Sequence, residues 1–341
     1  MKAWVIDKIS DLTKEDKPLT QKELPKPEPK EGELLIKAKV CGICHTELDE
    51  IEGRTPPPEF PVVPGHQVVG IVEESKAKNG DIKVGDRVGV AWIFSACGKC
   101  EFCLSGQENL CPDFIATGRD TNGGYAEYMT VPEKYAYPIP EVFTDEEAAP
   151  HLCAGAIGYR SVVLSKANDG DNIGLTGFGA SAHLVLKLIK HEYPKSKVYV
   201  FARNPKEREF ALELGAVWAG DSTEQPPEKL HCIIDTTPVW KTALAALDFL
   251  KPGGRLVINA IRKESVDDER LKEFDYAKHL WMEKEIKSVA NVTSSDVKNF
   301  LQAASEIPIK PDVKVYSFDE ANKAILDIKN SKIRGAKVLK I

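Results

Sequence analysis

The stretch DNIGLTGFGASAHLVLKLIK, residues 171–190, reads as a short apolar strand, a glycine turn and a helix. Its turn, Gly177-x-Gly179-x-x-Ala182, matches the G-x-G-x-x-G/A pattern. The small residues permit a tight turn, close approach of a pyrophosphate, and packing of helix on strand. The unpaired N–H groups and positive dipole end of a helix N-terminus suit phosphates. Gly177, Gly179, Ala180, Ser181 and Ala182 are therefore the expected contacts of a dinucleotide.

The flanking sequence supports that context. A second strand, KVYVFA (197–202), is followed by the helical run NPKEREFALELGA (204–216). HCIIDTT (231–237) and GRLVINA (254–260) read as further strands, with ALAALDFL (243–250) between them. Such alternation indicates a parallel sheet with helices on both faces. At the end of the second strand, a carboxylate would bind the ribose hydroxyls of NAD, whereas Arg accommodates the 2′-phosphate of NADP. This chain has Ala202-Arg203-Asn204 there, which favours NADP over NAD.

Bulk properties exclude other classes. The chain has 341 residues, enough for two domains. With 42% hydrophobic residues, it contains no apolar run near the roughly 20 residues that cross a bilayer. Mean hydropathy of -0.28 also argues against a membrane protein. A net charge of -6 and the lack of a basic stripe give no reason to expect nucleic acid. The N-terminus MKAWVIDKIS lacks the apolar core of a secretory signal, so a cytoplasmic location is expected. The 29% charged residues and three methionines faintly suggest a heat-adapted source.

The eight cysteines then read as metal ligands or core thiols rather than disulfides. Cys97, Cys100, Cys103 and Cys111 lie within CGKCEFCLSGQENLC and can wrap four thiolates around one ion. Zinc takes four sulfurs tetrahedrally, and a closed shell leaves no position for substrate, so the lobe at about 95–113 reads as a structural zinc site. Rubredoxin-like iron or a cluster is the alternative occupant. Cys232, in an apolar strand, reads as a core thiol.

CGICHTE (41–47), PGHQVVG (64–70), the four-cysteine stretch, GGYAEY (123–128), CAGAIGY (153–159) and GLTGFGASAH (174–183) follow one another along the chain. In these motifs, and over essentially its whole length, the sequence resembles the zinc-dependent medium-chain alcohol dehydrogenases. The resemblance implies an α/β architecture of two domains. A GroES-like, mostly-β catalytic domain would comprise 1–152 and 288–341, and a Rossmann domain with a doubly wound parallel sheet would comprise 153–287. It implies a catalytic zinc on Cys44, His66 and Cys153, with Cys41 not a ligand, and hence two zinc ions per chain. Two thiolates and a neutral imidazole balance the ion and leave its fourth position open.

The implied chemistry is reversible hydride transfer between an alcohol and NADP or NAD, with zinc polarising the substrate oxygen. Thr46 resembles the hydroxyl residue that accepts the alcohol proton, and His45 would lie near the pyrophosphate. Trp92 falls where the family places an aromatic wall, which favours small aliphatic alcohols and aldehydes. A homotetramer or homodimer is expected by the same analogy.

Three residues depart from the commonest pattern. Glu47 replaces an aspartate that orients the zinc-binding histidine. Asp49 stands where some members end a proton relay with histidine, so the relay would use this carboxylate or end in solvent. Gln67 replaces a glutamate behind the zinc; zinc is expected to bind still, with a slightly more acidic bound water and less ligand exchange. Polyol or amino-alcohol dehydrogenases are the nearest alternative, and a non-enzymatic member of the fold is a further one. The three implied zinc ligands argue against a zinc-free quinone or enoyl reductase.

Overall fold

A computed structural model describes residues 1–78, 80–179, 181–330 and 335–341. The chain forms two compact units, Met1–Ala156 with Asn291–Ile341, and Ile157–Ala290. The switch points fall a few residues past the 153 and 288 read from the sequence. Cys153 and Gly155 explain the first offset. The Cys153 thiol lies 3.3 Å from His66, and a Cβ on Gly155 would overlap the Phe300 ring, so both belong to the first unit.

The first unit is built on β1 (Glu33–Ile43), a strand whose inward residues Leu34, Ile36, Ala38 and Cys41 join the core. Cys44 alone separates it from the short helix α1 (His45–Ile51). β2 (Val68–Ser75) pairs antiparallel with β1, setting Val68 opposite Cys41, and β3 (Arg87–Val90) pairs with β2. β4 (Tyr128–Pro132) lies against β1, and β5 (Ala136–Pro138) against β3.

The second unit opens with most of α2 (Ala154–Ser165), followed by β6 (Asn172–Thr176) and α3 (Ala182–Glu192). Next come β7 (Lys197–Phe201), α4 (Pro205–Glu213), β8 (Trp218–Gly220) and β9 (Leu230–Asp235). α5 (Trp240–Phe249), β10 (Leu250–Ile258) and β11 (Glu285–Ser288) complete it. The six strands lie in the order β8-β7-β6-β9-β10-β11, and every pairing is parallel. The strand order therefore reverses between β6 and β9, the crevice where doubly wound sheets bind ligands. Phe201 and Phe249 stack at 5.2 Å within the core on one face.

The chain then returns to the first unit, where β12 (Val313–Ser317) and β13 (Ala336–Lys340) pair in parallel. β13 pairs antiparallel with β1 and closes a seven-stranded sheet. Among the described residues no helix is long and apolar enough to cross a membrane.

Candidate functional site

Cys44 occupies the N-cap of α1, and its sulfur accepts the Thr46 N–H at 3.4 Å. Glu47, at the third helical position, returns the bond: its Oε2 accepts the Cys44 N–H at 2.8 Å. This capping box fixes the first turn and buries the Glu47 carboxylate completely. The other oxygen, Oε1, lies 2.8 Å from His66 Nδ1, an electrostatic contact rather than an aligned hydrogen bond. Glu47 thus joins Cys44 to His66 and turns the other ring nitrogen, Nε2, towards two sulfurs.

Those sulfurs belong to Cys44, at 3.7 Å, and Cys153, at 3.3 Å. A tetrahedral zinc with normal bond lengths spaces nitrogen and sulfur ligands about 3.6 Å apart. Cys44, His66 and Cys153 therefore fit a three-ligand zinc site, all their donor atoms lying within 4.8 Å of one another. The Cys153 thiol and burial push the Cys44 thiol well above its usual range. A cation that binds here must displace protons, and it would supply the positive charge that makes thiolates stable.

Cys41 lies apart from this group, its sulfur packed where a Cβ on Gly65 or Gly124 would sit. Gly65, with φ +99°, also leaves room for the Tyr125 ring, so no other residue fits immediately before His66. Gln67 is buried, with its side chain lying where a Cβ on Gly42 would project. The Trp92 ring meets His66 edge-on with ring centres 4.8 Å apart, which places the indole against that imidazole.

The other residues of α1 singled out from the sequence divide. His45 and Thr46 stand in the first turn of α1, His45 exposed and Thr46 half-buried. Asp49 is buried, and its carboxylate is held by the Arg54 guanidinium. Glu50 escaped the sequence reading. It lies three residues after Glu47, on the same helix face, and both its oxygens are buried without a hydrogen-bond partner. Burial and the nearby Glu47 hold its carboxyl well above the usual range. The i, i+3 spacing was the available signal; the burial was not visible in it.

The second cysteine group brings together Cys97, Cys100, Cys103 and Cys111, again with all sulfurs within 4.8 Å. Cys97 and Cys103 are 3.9 Å apart, against about 3.8 Å for two sulfurs on one tetrahedral zinc. The Cys100 N–H donates to Cys97 and the Cys97 N–H to Cys111, each at 3.4 Å. The backbone N–H groups of Lys99 and Cys100 bring the Cys97 thiol down to about 6, favouring the thiolate a metal needs. The group fits a closed four-thiolate site.

In the second unit, Gly177 ends β6 with φ +80°, and a Cβ there would strike Thr236 Oγ1 at 2.7 Å. Among the described residues, and its chain neighbours apart, none comes within 4 Å of the place a Cβ on Gly179 would take, which leaves its backbone approachable. Ser181 is the N-cap of α3 and Ala182 its first residue, while Ala180 lies outside the described residues. Ala202 is buried at the end of β7, and Arg203 is exposed beside it. Asn204 caps α4, its side chain accepting the Lys206 N–H at 3.0 Å.

Residues 30–141 match the alcohol dehydrogenase GroES-like domain family. The chain is 37% identical over 346 residues to the probable alcohol dehydrogenase AdhA of Mycobacterium tuberculosis (strain CDC 1551 / Oshkosh), covering 100% of this chain and 97% of that protein. It is 33% identical to an alcohol dehydrogenase of Geobacillus stearothermophilus, covering 100% and 99%. Among solved structures, a cinnamyl alcohol dehydrogenase of Sorghum bicolor, SbCAD4, superposes with a TM-score of 0.86 at 27% identity, covering 99% of this chain and 97% of that one.

Proposed function

This chain belongs to the zinc-type medium-chain alcohol dehydrogenases, and on that premise we propose how its own residues divide the work of oxidising an alcohol. The enzyme interconverts a small alcohol and its carbonyl compound by hydride transfer with a nicotinamide dinucleotide. The observation that carries the site assignment is the convergence of Cys44, His66 and Cys153, with Glu47 behind the imidazole. These three residues would hold a zinc ion and leave its fourth position to the substrate. Bound there, zinc supplies a Lewis acid that makes the alcohol proton easier to remove, and the dinucleotide accepts the hydride.

The remaining steps belong to the protein. Thr46, tied to the Cys44 sulfur through its own N–H, would accept the alcohol proton at its hydroxyl oxygen while that hydroxyl passes its own proton on. Asp49 is committed to Arg54, so the proton leaves to solvent past the exposed His45 rather than through that carboxylate. Trp92, edge-on to His66, walls the substrate space and favours small aliphatic alcohols and aldehydes over bulky ones. Cys97, Cys100, Cys103 and Cys111 would hold a second, structural zinc.

In the second unit the turn at Gly177 and Gly179 receives the pyrophosphate, and the exposed Arg203 pairs with the 2′-phosphate of NADP. The test is the paired rate with NADPH and NADH on a small aldehyde. Arg203→Ala is expected to raise the KM for NADPH about tenfold and leave that for NADH unchanged. Equal effects on both cofactors would contradict the assignment.

The same reading extends to assembly and location. β11 is an edge strand, and Trp281, Met282 and Ile286 expose apolar surface on or beside it, which supports pairing of two copies as a homodimer or within a homotetramer. Eight free thiols, six of them proposed ligands, suit a reducing cytoplasm.

A further inference from the structure

We infer that the second unit carries a binding site for a small oxyanion at the amino-terminal end of its sheet, formed by His231, Lys251 and Arg255. A cavity of about 200 Å³ opens there, lined also by Lys166, Asp171 and Glu285. Pockets for drug-sized ligands start near 300 Å³, so this one is sized for a phosphate group.

Hydrogen-bond accounting identifies the ligand's sign. His231 Nδ1 accepts the Asn172 N–H at 2.8 Å, so in the neutral ring the proton must sit on Nε2. Lys251 Nζ lies 3.0 Å from that same Nε2. Two donors therefore face each other with no acceptor between them. Arg255, in the same lining, adds positive charge. Its side chain is only 9% exposed, two of its nitrogens bond Leu164 O and Glu285, and its Nε–H is buried without a partner.

The carboxylates at the cavity do not fill the gap. Asp171 Oδ2 accepts the Asn168 N–H at 2.8 Å, and its other oxygen, Oδ1, stands 3.5 Å from His231 Nε2, too far for a good bond. Glu285 is committed to Arg255. An oxyanion in the cavity would accept from His231 and Lys251, and the Arg255 guanidinium in its lining and Lys166 add positive charge. The shared chemistry is a tetrahedral phosphate, either free or as the head of a phosphomonoester.

This place differs from the proposed dinucleotide crevice. Asn172 begins β6 and Gly177 follows its end, a separation of about 17 Å along five residues of strand.

The test measures binding of inorganic phosphate and, separately, glycerol phosphate to the zinc-loaded enzyme without dinucleotide. Phosphorus NMR line broadening is read at constant ionic strength for wild type, Lys251→Gln and Arg203→Ala. Saturable binding that survives Arg203→Ala and weakens about tenfold in Lys251→Gln supports the site. Its strength for the two probes then distinguishes a free anion from a phosphomonoester. Binding lost in Arg203→Ala alone, equal binding in Lys251→Gln and wild type, or no saturable binding overturns it. Alcohol oxidation by Lys251→Gln in phosphate-free buffer reports that the variant is folded.

Discussion

Glu47 does two jobs with two oxygens: one caps the helix that presents Cys44, and the other faces the His66 ring. Partners of this kind are commonly worth a factor of about 10 to 100 in metal affinity. Glu47→Gln is therefore expected to retain the four-cysteine zinc and lose the other about 10- to 100-fold more readily to a chelator, followed as zinc per chain over time. Unchanged retention would mean that His66 is oriented without it. In the same assay Gln67→Glu should release zinc faster, because an added carboxylate competes with the thiolates and imidazole. At this scale the sequence was most legible where chemistry demands a residue type. The cysteine spacings and the resemblance led to both ligand sets, and the structure brings each set together. What stayed hidden depends on folding: Asp49 is spoken for by Arg54, five residues on, and Glu50 is buried with no partner.

Strands β6 and β7 are braced at their amino ends by one exposed carboxylate. Glu228 accepts from Lys197, Tyr199 and Asn172 at 2.7, 2.8 and 3.1 Å. The Lys197 ammonium first, then the Tyr199 hydroxyl and the Asn172 amide, lower its carboxyl from 4.5 to about 2. The folded protein therefore binds this proton less readily than the unfolded chain. Its contribution to stability is present above pH 4.5, shrinks as pH falls, and is gone near pH 2. Glu228→Gln should lower the thermal midpoint at pH 7, with the difference from wild type closing across that acid window. A constant difference from neutral to acid pH would contradict the assignment. The strands and helices around this brace were readable from their alternation, and the observed ends of β7 and β9 fall within two residues of the stretches quoted from sequence. The brace itself was not, since Glu228 lies in a connection that no periodicity marks.

For the whole molecule, the family resemblance implied two domains, one interrupted by the other; the chain forms two compact units, Met1–Ala156 with Asn291–Ile341, and Ile157–Ala290. The exposed surface beside β11 carried no motif; it is visible only once the strand is known to lie at an edge. Replacing Ile286 and Trp281 by lysine should shift the sedimenting species towards the 37.6 kDa monomer, and an unchanged sedimentation profile would place the interface elsewhere. On the proposed assignment, Cys44, His66 and Cys153 would hold the zinc at which the alcohol reacts, while the four-cysteine lobe would hold another. The most direct measurement is zinc per chain alongside alcohol-dependent NADP+ reduction, for wild type and Cys153→Ser. Two zinc ions and turnover are expected in the wild type, and one zinc, an unchanged fold and no turnover in the variant. A folded Cys153→Ser that keeps both ions and the wild-type rate would contradict it.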